Sequence, residues 1–146
     1  MTDATVQKIR AFNRFYMPRM NLLGNHYLGS EYSATEARVL FEVLQNDGCT
    51  ATSIARAMNI DKGYLSRIIS AHEKAGYLRR TVSSGDGRAR SLHLTETGRA
   101  RAQEFVDLSN EEVADILAPL SPAERKRLED ALDTVTELLS KGEQQA

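Results

Sequence analysis

Apolar residues recur at helical spacing from the start of the chain, where Val6, Ile9, Phe12, Tyr16, Met20 and Leu23 fall on one stripe that Phe15 and Leu22 widen. A stripe that broad predicts a helix burying two faces. Pro18 has no amide to donate and is expected to kink or break it there. Ser33 then reads as an N-cap with Glu36 at the capping-box position, ahead of Ala37, Val39, Leu40, Val43 and Leu44. Thr50 caps a short helix that buries Ile54, Ala55 and Met58, and Asn59 and Ile60 make a turn. Asp61 caps the next helix, which begins near Lys62 and carries Leu65, Ile68, Ile69 and Ala75 as a stripe, with His72 at its edge.

After Gly76 the periodicity changes from helical to alternating. Leu78 to Val82 and Arg90 to Leu94 read as two short strands around a polar tip, with Leu92 and Leu94 facing inward and Ser91 and His93 facing solvent. Helical spacing returns at Thr95, through Phe105, Val106, Val113, Ile116 and Leu117, with Gly98 and Ala102 permitting close packing and Pro119 stopping the helix. Ser121, Pro122 and Glu124 then form a helix start with cap, first-turn proline and capping-box acid. Leu128, Leu132, Val135 and Leu139 follow at a spacing of four, three and four, like a short coiled-coil seam. The fold class predicted is mainly α with a small β-hairpin: a winged helix-turn-helix flanked by N- and C-terminal dimerisation helices. A single domain over 1–146 is expected, with 1–30 and 104–146 for dimerisation and 33–101 for the winged helix-turn-helix.

That order of elements supplies a helix for a DNA major groove and a hairpin for the groove beside it. The exposed start of the second helix holds Lys62, Gly63, Tyr64, Ser66, Arg67 and Ser70. Arg67 can fork onto guanine or a phosphate, Tyr64 and Ser66 can reach bases or backbone, and Gly63 allows a close approach. Thr50, Arg80 and Arg90 join them as candidate contacts. At the hairpin tip Asp86 is placed to orient Arg88, whose guanidinium suits a narrow minor groove.

Charge supports the same stretch. The net charge of −1 conceals an uneven distribution. Residues 1–52 carry 5 basic and 5 acidic groups, residues 53–101 carry 10 and 4, and residues 102–146 carry 4 and 11. The nets are 0, +6 and −7, so the positive field coincides with the helix-turn-helix and hairpin.

The segments Ile54–Ile60, Leu65–Ile69, Gly76–Arg80, Asp86–Arg88 and Leu92–Gly98 together resemble the MarR family of transcription regulators, and the likeness runs from Val6 to Leu139. Ile9–Tyr16 with Tyr32–Leu40 is similar to the subgroup often fused to an acetyltransferase, for which 146 residues leave no room. The resemblance implies an obligate homodimer on a pseudo-palindromic DNA operator, and often a small-molecule effector held between dimerisation and DNA-binding regions. His72 departs from the larger apolar residue usual there.

A 41% apolar content suits a core built without metal or disulfide. One cysteine, with neither a transmembrane run nor a signal-peptide pattern, fits a cytoplasmic protein. Cys49 reads as an ordinary small residue near a helix junction, with a redox-active thiol as the sharper alternative. His26, His72 and His93 are too dispersed for a metal site, and no cofactor is expected. Without a glycine-rich phosphate loop or nucleophile elbow, the sequence is not that of an enzyme.

Phe12, Tyr16, Met20, His26, Tyr27 and Tyr32, interspersed with Arg10, Asn13 and Arg14, are candidate effector-binding residues for an aromatic or anionic molecule. Core and dimer packing is the plainer role for each alone. A protein-interaction module, or a DNA-binding partner of a separate enzyme, is the alternative function; a small-molecule carrier is a third.

Overall fold

The computed structural model describes residues 3–82 and 90–145. Its elements are α1 (Ala4–Arg19), α2 (Ala34–Gln45), α3 (Ala51–Met58), α4 (Lys62–Lys74), β1 (Leu78–Val82), β2 (Arg90–Leu94), α5 (Glu96–Leu117) and α6 (Pro122–Leu139), with single 3-10 segments at Tyr27–Gly29 and Ser140–Gln145. The chain divides into two compact units, Met1–Ser109 and Asn110–Ala146.

The helix starts follow from local hydrogen bonding. Ser33, Thr50 and Ser121 each accept the N3 amide of the helix they cap, and Glu36, Ser53 and Glu124 return the bond to the cap amide. Each such cap stabilises its helix by about 1 kcal/mol. Asp61 accepts from the Tyr64 amide and opens α4, while Asn59, at φ 52°, turns the chain out of α3. Gly76, at φ 87°, turns it out of α4.

In the first unit the core joins Val39, Leu40 and Val43 of α2 to Ile54 and Ala55 of α3 and to Leu65, Ile68 and Ile69 of α4. Leu78, Leu92 and Leu94 of the hairpin and Ala102 and Phe105 of α5 complete it. Burying each leucine or isoleucine contributes about 1.5–3 kcal/mol, so these few side chains fix the hairpin against the helices. The hairpin is antiparallel, with Leu78 opposite Leu94 and Val82 opposite Arg90. Leu92 also exchanges backbone bonds with the α2–α3 turn, its carbonyl accepting from Gly48 and its amide donating to the Cys49 carbonyl.

Three sequence expectations are corrected. The first helix ends at Arg19, with Met20 as its C-cap and Asn21 in the left-handed region at φ 55°, so Leu22 and Leu23 lie beyond the helical stripe. Pro18 removes only the bond to the Arg14 carbonyl, and it is the left-handed Asn21 that turns the chain out of the helix, which stops one residue after Pro18. Ala75 lies at the C-cap of α4 and is exposed, outside the buried stripe. His93 does not face solvent freely; both its ring nitrogens are bonded within the protein.

In the second unit the end of α5 leads through Pro119 into α6, where the Arg125 guanidinium donates to the Leu117 carbonyl. No residue of α6 is buried, and none of α1 is. No helix among the described residues is long and apolar enough to cross a membrane.

Candidate nucleic-acid interface

Helical geometry sorts α4 into a buried stripe and an exposed face. Leu65, Ile68 and Ile69 are buried, while Lys62, Gly63, Tyr64, Ser66, Arg67 and Ser70 are all exposed. The structure therefore brings the six predicted contacts of this helix onto its free side, concentrated in its first two and a half turns. The Arg67 guanidinium lies 6.0 Å from the centre of the Tyr64 ring, within range of a cation–π attraction that limits where either side chain swings. Gly63 has a nearer reason than close approach to a partner. A Cβ there would stand 3.0 Å from Asp61 Oδ2, the carboxylate that caps the helix.

Thr50 is half-buried and its hydroxyl oxygen is engaged by the Ser53 amide, so its first duty is capping α3. Arg80 is committed to a neighbour: its Nε and terminal nitrogen each lie 2.9 Å from Glu73 Oε1, an ion pair joining β1 to the last turn of α4. Arg90 is exposed at the start of β2, as is Arg79 on β1. Asp86 and Arg88 lie outside the described residues.

The opposite face of the hairpin carries a second link that local sequence reasoning does not reveal. His93 Nδ1 lies 3.0 Å from Asp47 Oδ1 in the α2–α3 turn, and His93 Nε2 lies 2.9 Å from Thr81 Oγ1 on β1. A carboxylate, an imidazole and a hydroxyl in this order also occur in acyl-transfer sites. Here they join the turn before α3 to both strands. Alternation of Leu92, His93 and Leu94 shows which face His93 takes, but not its partner 46 residues away.

The candidate effector residues fall into two groups. Phe12 and Tyr16 stack with ring centres 5.1 Å apart on the exposed side of α1. Tyr27 and Tyr32 instead pack on Phe105, and Tyr32 also meets the edges of His72 and Tyr77. His26 is exposed and its Nδ1 lies 3.1 Å from the Ser30 carbonyl oxygen. Met20 is half-buried at the C-cap of α1.

The second group includes residues absent from the sequence expectation. Arg101 of α5 pairs with Glu31 and Glu104, and its guanidinium lies 4.9 Å from the Phe105 ring centre and 5.8 Å from that of Tyr32. Burial, then the neighbouring Tyr77 and Glu31, push the Tyr32 hydroxyl above its ordinary pKa, against the lowering effect of Arg101. His72 is fully buried, and burial pushes its pKa below the ordinary histidine value despite its bond to the Glu36 carbonyl. Among the described residues its Nδ1, like Nε of Arg101, is buried without a hydrogen-bond partner.

Cys49 borders a cavity of about 340 Å³ with Glu42, Asn46, Ser53, Ile54 and Ala57. Burial raises its thiol pKa, which disfavours the thiolate needed for rapid oxidation.

Residues 31–89 match the MarR family. The HTH-type transcriptional regulator PecS of Dickeya dadantii is 33% identical over 84 residues, which make up 58% of this chain and 51% of PecS. The chain thus spans about half the length of that curated relative. Among solved structures, a mutant MarR of E. coli complexed with operator DNA matches with a TM-score of 0.72 and 22% identity, over 92% of this chain and 99% of that one. Bordetella bronchiseptica BpsR, whose DNA binding is regulated by 6-hydroxynicotinic acid, matches with a TM-score of 0.71 and 22% identity, over 89% and 98%. These two likenesses are of fold. They agree with the helix-turn-helix and paired strands described above, and residues 31–89 are similar to the MarR family.

Proposed function

We propose that the chain is a sequence-specific, DNA-binding transcription regulator acting as a homodimeric repressor on a pseudo-palindromic operator. The observation that carries this reading is the exposed, polar start of α4 beside a hairpin braced to it, within the segment of +6 net charge. In this arrangement Lys62 to Ser70 enter successive major grooves, two half-sites about 34–36 Å apart, and the hairpin tip with Arg88 reaches the flanking minor grooves. A cytoplasmic location follows from a promoter as partner.

The dimer rests on α1, α5 and α6, corresponding to segments of about 1–30 and 104–146. Val6, Ile9, Phe12 and Phe15 on α1, and Leu128, Leu132, Val135 and Leu139 on α6, are all exposed on the single chain. Amphipathic helices gain most of their stability by burying such a face, and a second copy supplies the partner.

A small aromatic or anionic effector would release the operator by favouring a dimer whose recognition helices no longer match the half-site repeat. The region around Tyr27, Tyr32 and Arg101 offers rings, a guanidinium and two unsatisfied buried nitrogens for such a molecule.

The test is binding of purified protein to its own upstream DNA and to scrambled DNA of equal length, across a salt series and at known protomer concentration. Selective, salt-sensitive binding with two protomers per site is the expected result. Equal binding to both DNAs would remove sequence-specific regulation through that region, and no binding even at low salt would favour a protein-interaction module.

A further inference from the structure

Alternation along β1 puts Arg80 and Thr81 on opposite faces of the hairpin, and each face is tied to a different part of the helix-turn-helix. On one side Arg80 pairs with Glu73 at the end of α4. On the other, His93 links Thr81 to Asp47 in the turn that leads into α3. The second link is reinforced by two backbone bonds, 2.9 Å from Gly48 to the Leu92 carbonyl and 2.8 Å from Leu92 to the Cys49 carbonyl. Gly48 lies directly under the imidazole: a Cβ there would meet His93 Cε1 at 3.8 Å.

The placement of this link along the hairpin matters. Leu78, Leu92 and Leu94 anchor the base of the hairpin in the core, but Thr81 is the penultimate residue of β1, next to the tip. Apolar contacts resist separation better than rocking because they are not directional. Of the directional contacts among the described residues, only the His93 link reaches Thr81 near the end of β1; the Leu92 backbone bonds and the Arg80–Glu73 pair hold the strands further back. Hydrogen bonds are directional. With both ring nitrogens occupied, the imidazole plane is fixed, and in the neutral ring Nδ1–H donates to the Asp47 carboxylate while Nε2 accepts from the Thr81 hydroxyl.

We propose that His93 is a positioning residue for DNA binding: through Asp47 and Thr81 it sets the pitch of the wing relative to α4, so that wing and recognition helix engage one duplex together. The proposal rests on the reading of the chain as a DNA-binding regulator. The exposed Arg79 of β1 and Arg90 of β2 reach a duplex only if the two strands stand at the right height beside the groove that α4 occupies. Each strand residue adds about 3.3 Å of reach, so a small rotation at the base is enlarged at the tip. Loss of the link costs the wing its register while leaving the α4 face intact.

The experiment compares the full chain with His93→Leu, His93→Asn, Asp47→Ala and Thr81→Val on operator DNA found by selection from a random pool. Affinity, the slope of log affinity against log salt, hydroxyl-radical protection, oligomeric state and thermal midpoint are measured for each. Leucine keeps the bulk and strand preference of position 93 without either bond, and asparagine can keep the bond to Asp47 alone. The proposal expects His93→Leu to bind about tenfold more weakly and to lose about one unit of salt slope. Protection of the flanking grooves is lost, protection of the central major grooves stays, and the oligomer is unchanged.

Asp47→Ala and Thr81→Val reproduce that pattern, and each double variant with His93→Leu is no weaker than His93→Leu alone. His93→Asn falls between the native chain and His93→Leu. Native affinity and slope in His93→Leu would overturn the proposal, as would a uniform loss of protection with a lowered thermal midpoint, which marks a purely structural role. Failure of the native chain to select any sequence overturns the DNA-binding reading itself, and the proposal with it.

Discussion

Nε2 of His72 lies 2.9 Å from the carbonyl oxygen of Glu36, tying the last turn of α4 to the first turn of α2. The ring is fully buried, its Nδ1 has no partner among the described residues, and burial holds its pKa below the ordinary value of 6.5. Below pH 6.5 the unfolded chain therefore binds more protons at this position than the folded one, and stability must fall as pH falls. The His72 contribution is fully present above 6.5 and declines below it, at up to about 1.4 kcal/mol per pH unit. Urea midpoints at about pH 7.5 and pH 5.5 should show this loss in the native chain and a smaller loss in His72→Leu. Equal pH dependence in the two proteins would assign the effect elsewhere.

Gly98 is predicted to be irreplaceable for a steric reason. A Cβ there would lie 2.7 Å from the Tyr77 carbonyl carbon and still closer to its oxygen, so backbone must move. That carbonyl also accepts from the Thr95 amide, and the Thr95 hydroxyl donates to the Gly76 carbonyl, locking the start of α5 to the turn between α4 and β1. Gly98→Ala is expected to destabilise the protein by about 2–4 kcal/mol, despite alanine's better helix propensity. Thermal denaturation checks this, and a midpoint within a degree of native would refute the packing argument.

The contrast between Thr50 and His93 shows which parts of the site are legible in sequence. Caps act over three residues, so Ser33, Thr50, Asp61 and Ser121 could be placed from their neighbours alone, and two periods in succession give both strands to the residue. The exposed face of α4 follows from the same arithmetic. His93 with Asp47, His72 with Glu36 and Arg101 with Glu31 pair across 46, 36 and 70 residues. No local pattern selects such partners, because tertiary packing brings them together. Arg80 is an intermediate case: its charge is visible and its commitment to Glu73 is not. A count of arginines therefore overstates the cations available to DNA.

Arg67 is the strongest candidate for base reading on α4, since it is exposed and partly held by the Tyr64 ring. If it forks onto a guanine edge, Arg67→Ala should weaken operator binding by about 1–3 kcal/mol and relax preference at one base pair, with a smaller effect on scrambled DNA. If it contacts phosphate, both DNAs lose affinity alike and the salt slope falls by about one. Titrations on operator, single-base variants and scrambled DNA decide between the two roles.

On α6, Leu132 lies midway along a seam whose members are 38% to 61% exposed. Its four-three-four spacing fits another helix, and no residue of α6 is buried within the chain. Leu132→Glu would place a carboxylate at each copy of that seam, at a cost of several kcal/mol in the dimer and almost none in an isolated chain. Sedimentation at micromolar concentration should therefore report a monomer, with helical content retained and operator affinity reduced at least a hundredfold because one half-site binds alone. Arg127→Glu is the control, since it adds negative charge to the same helix without touching the apolar seam. Dimerisation retained by Leu132→Glu would exclude this seam from the interface, and monomers in both variants would trace the effect to net charge instead of the apolar contact.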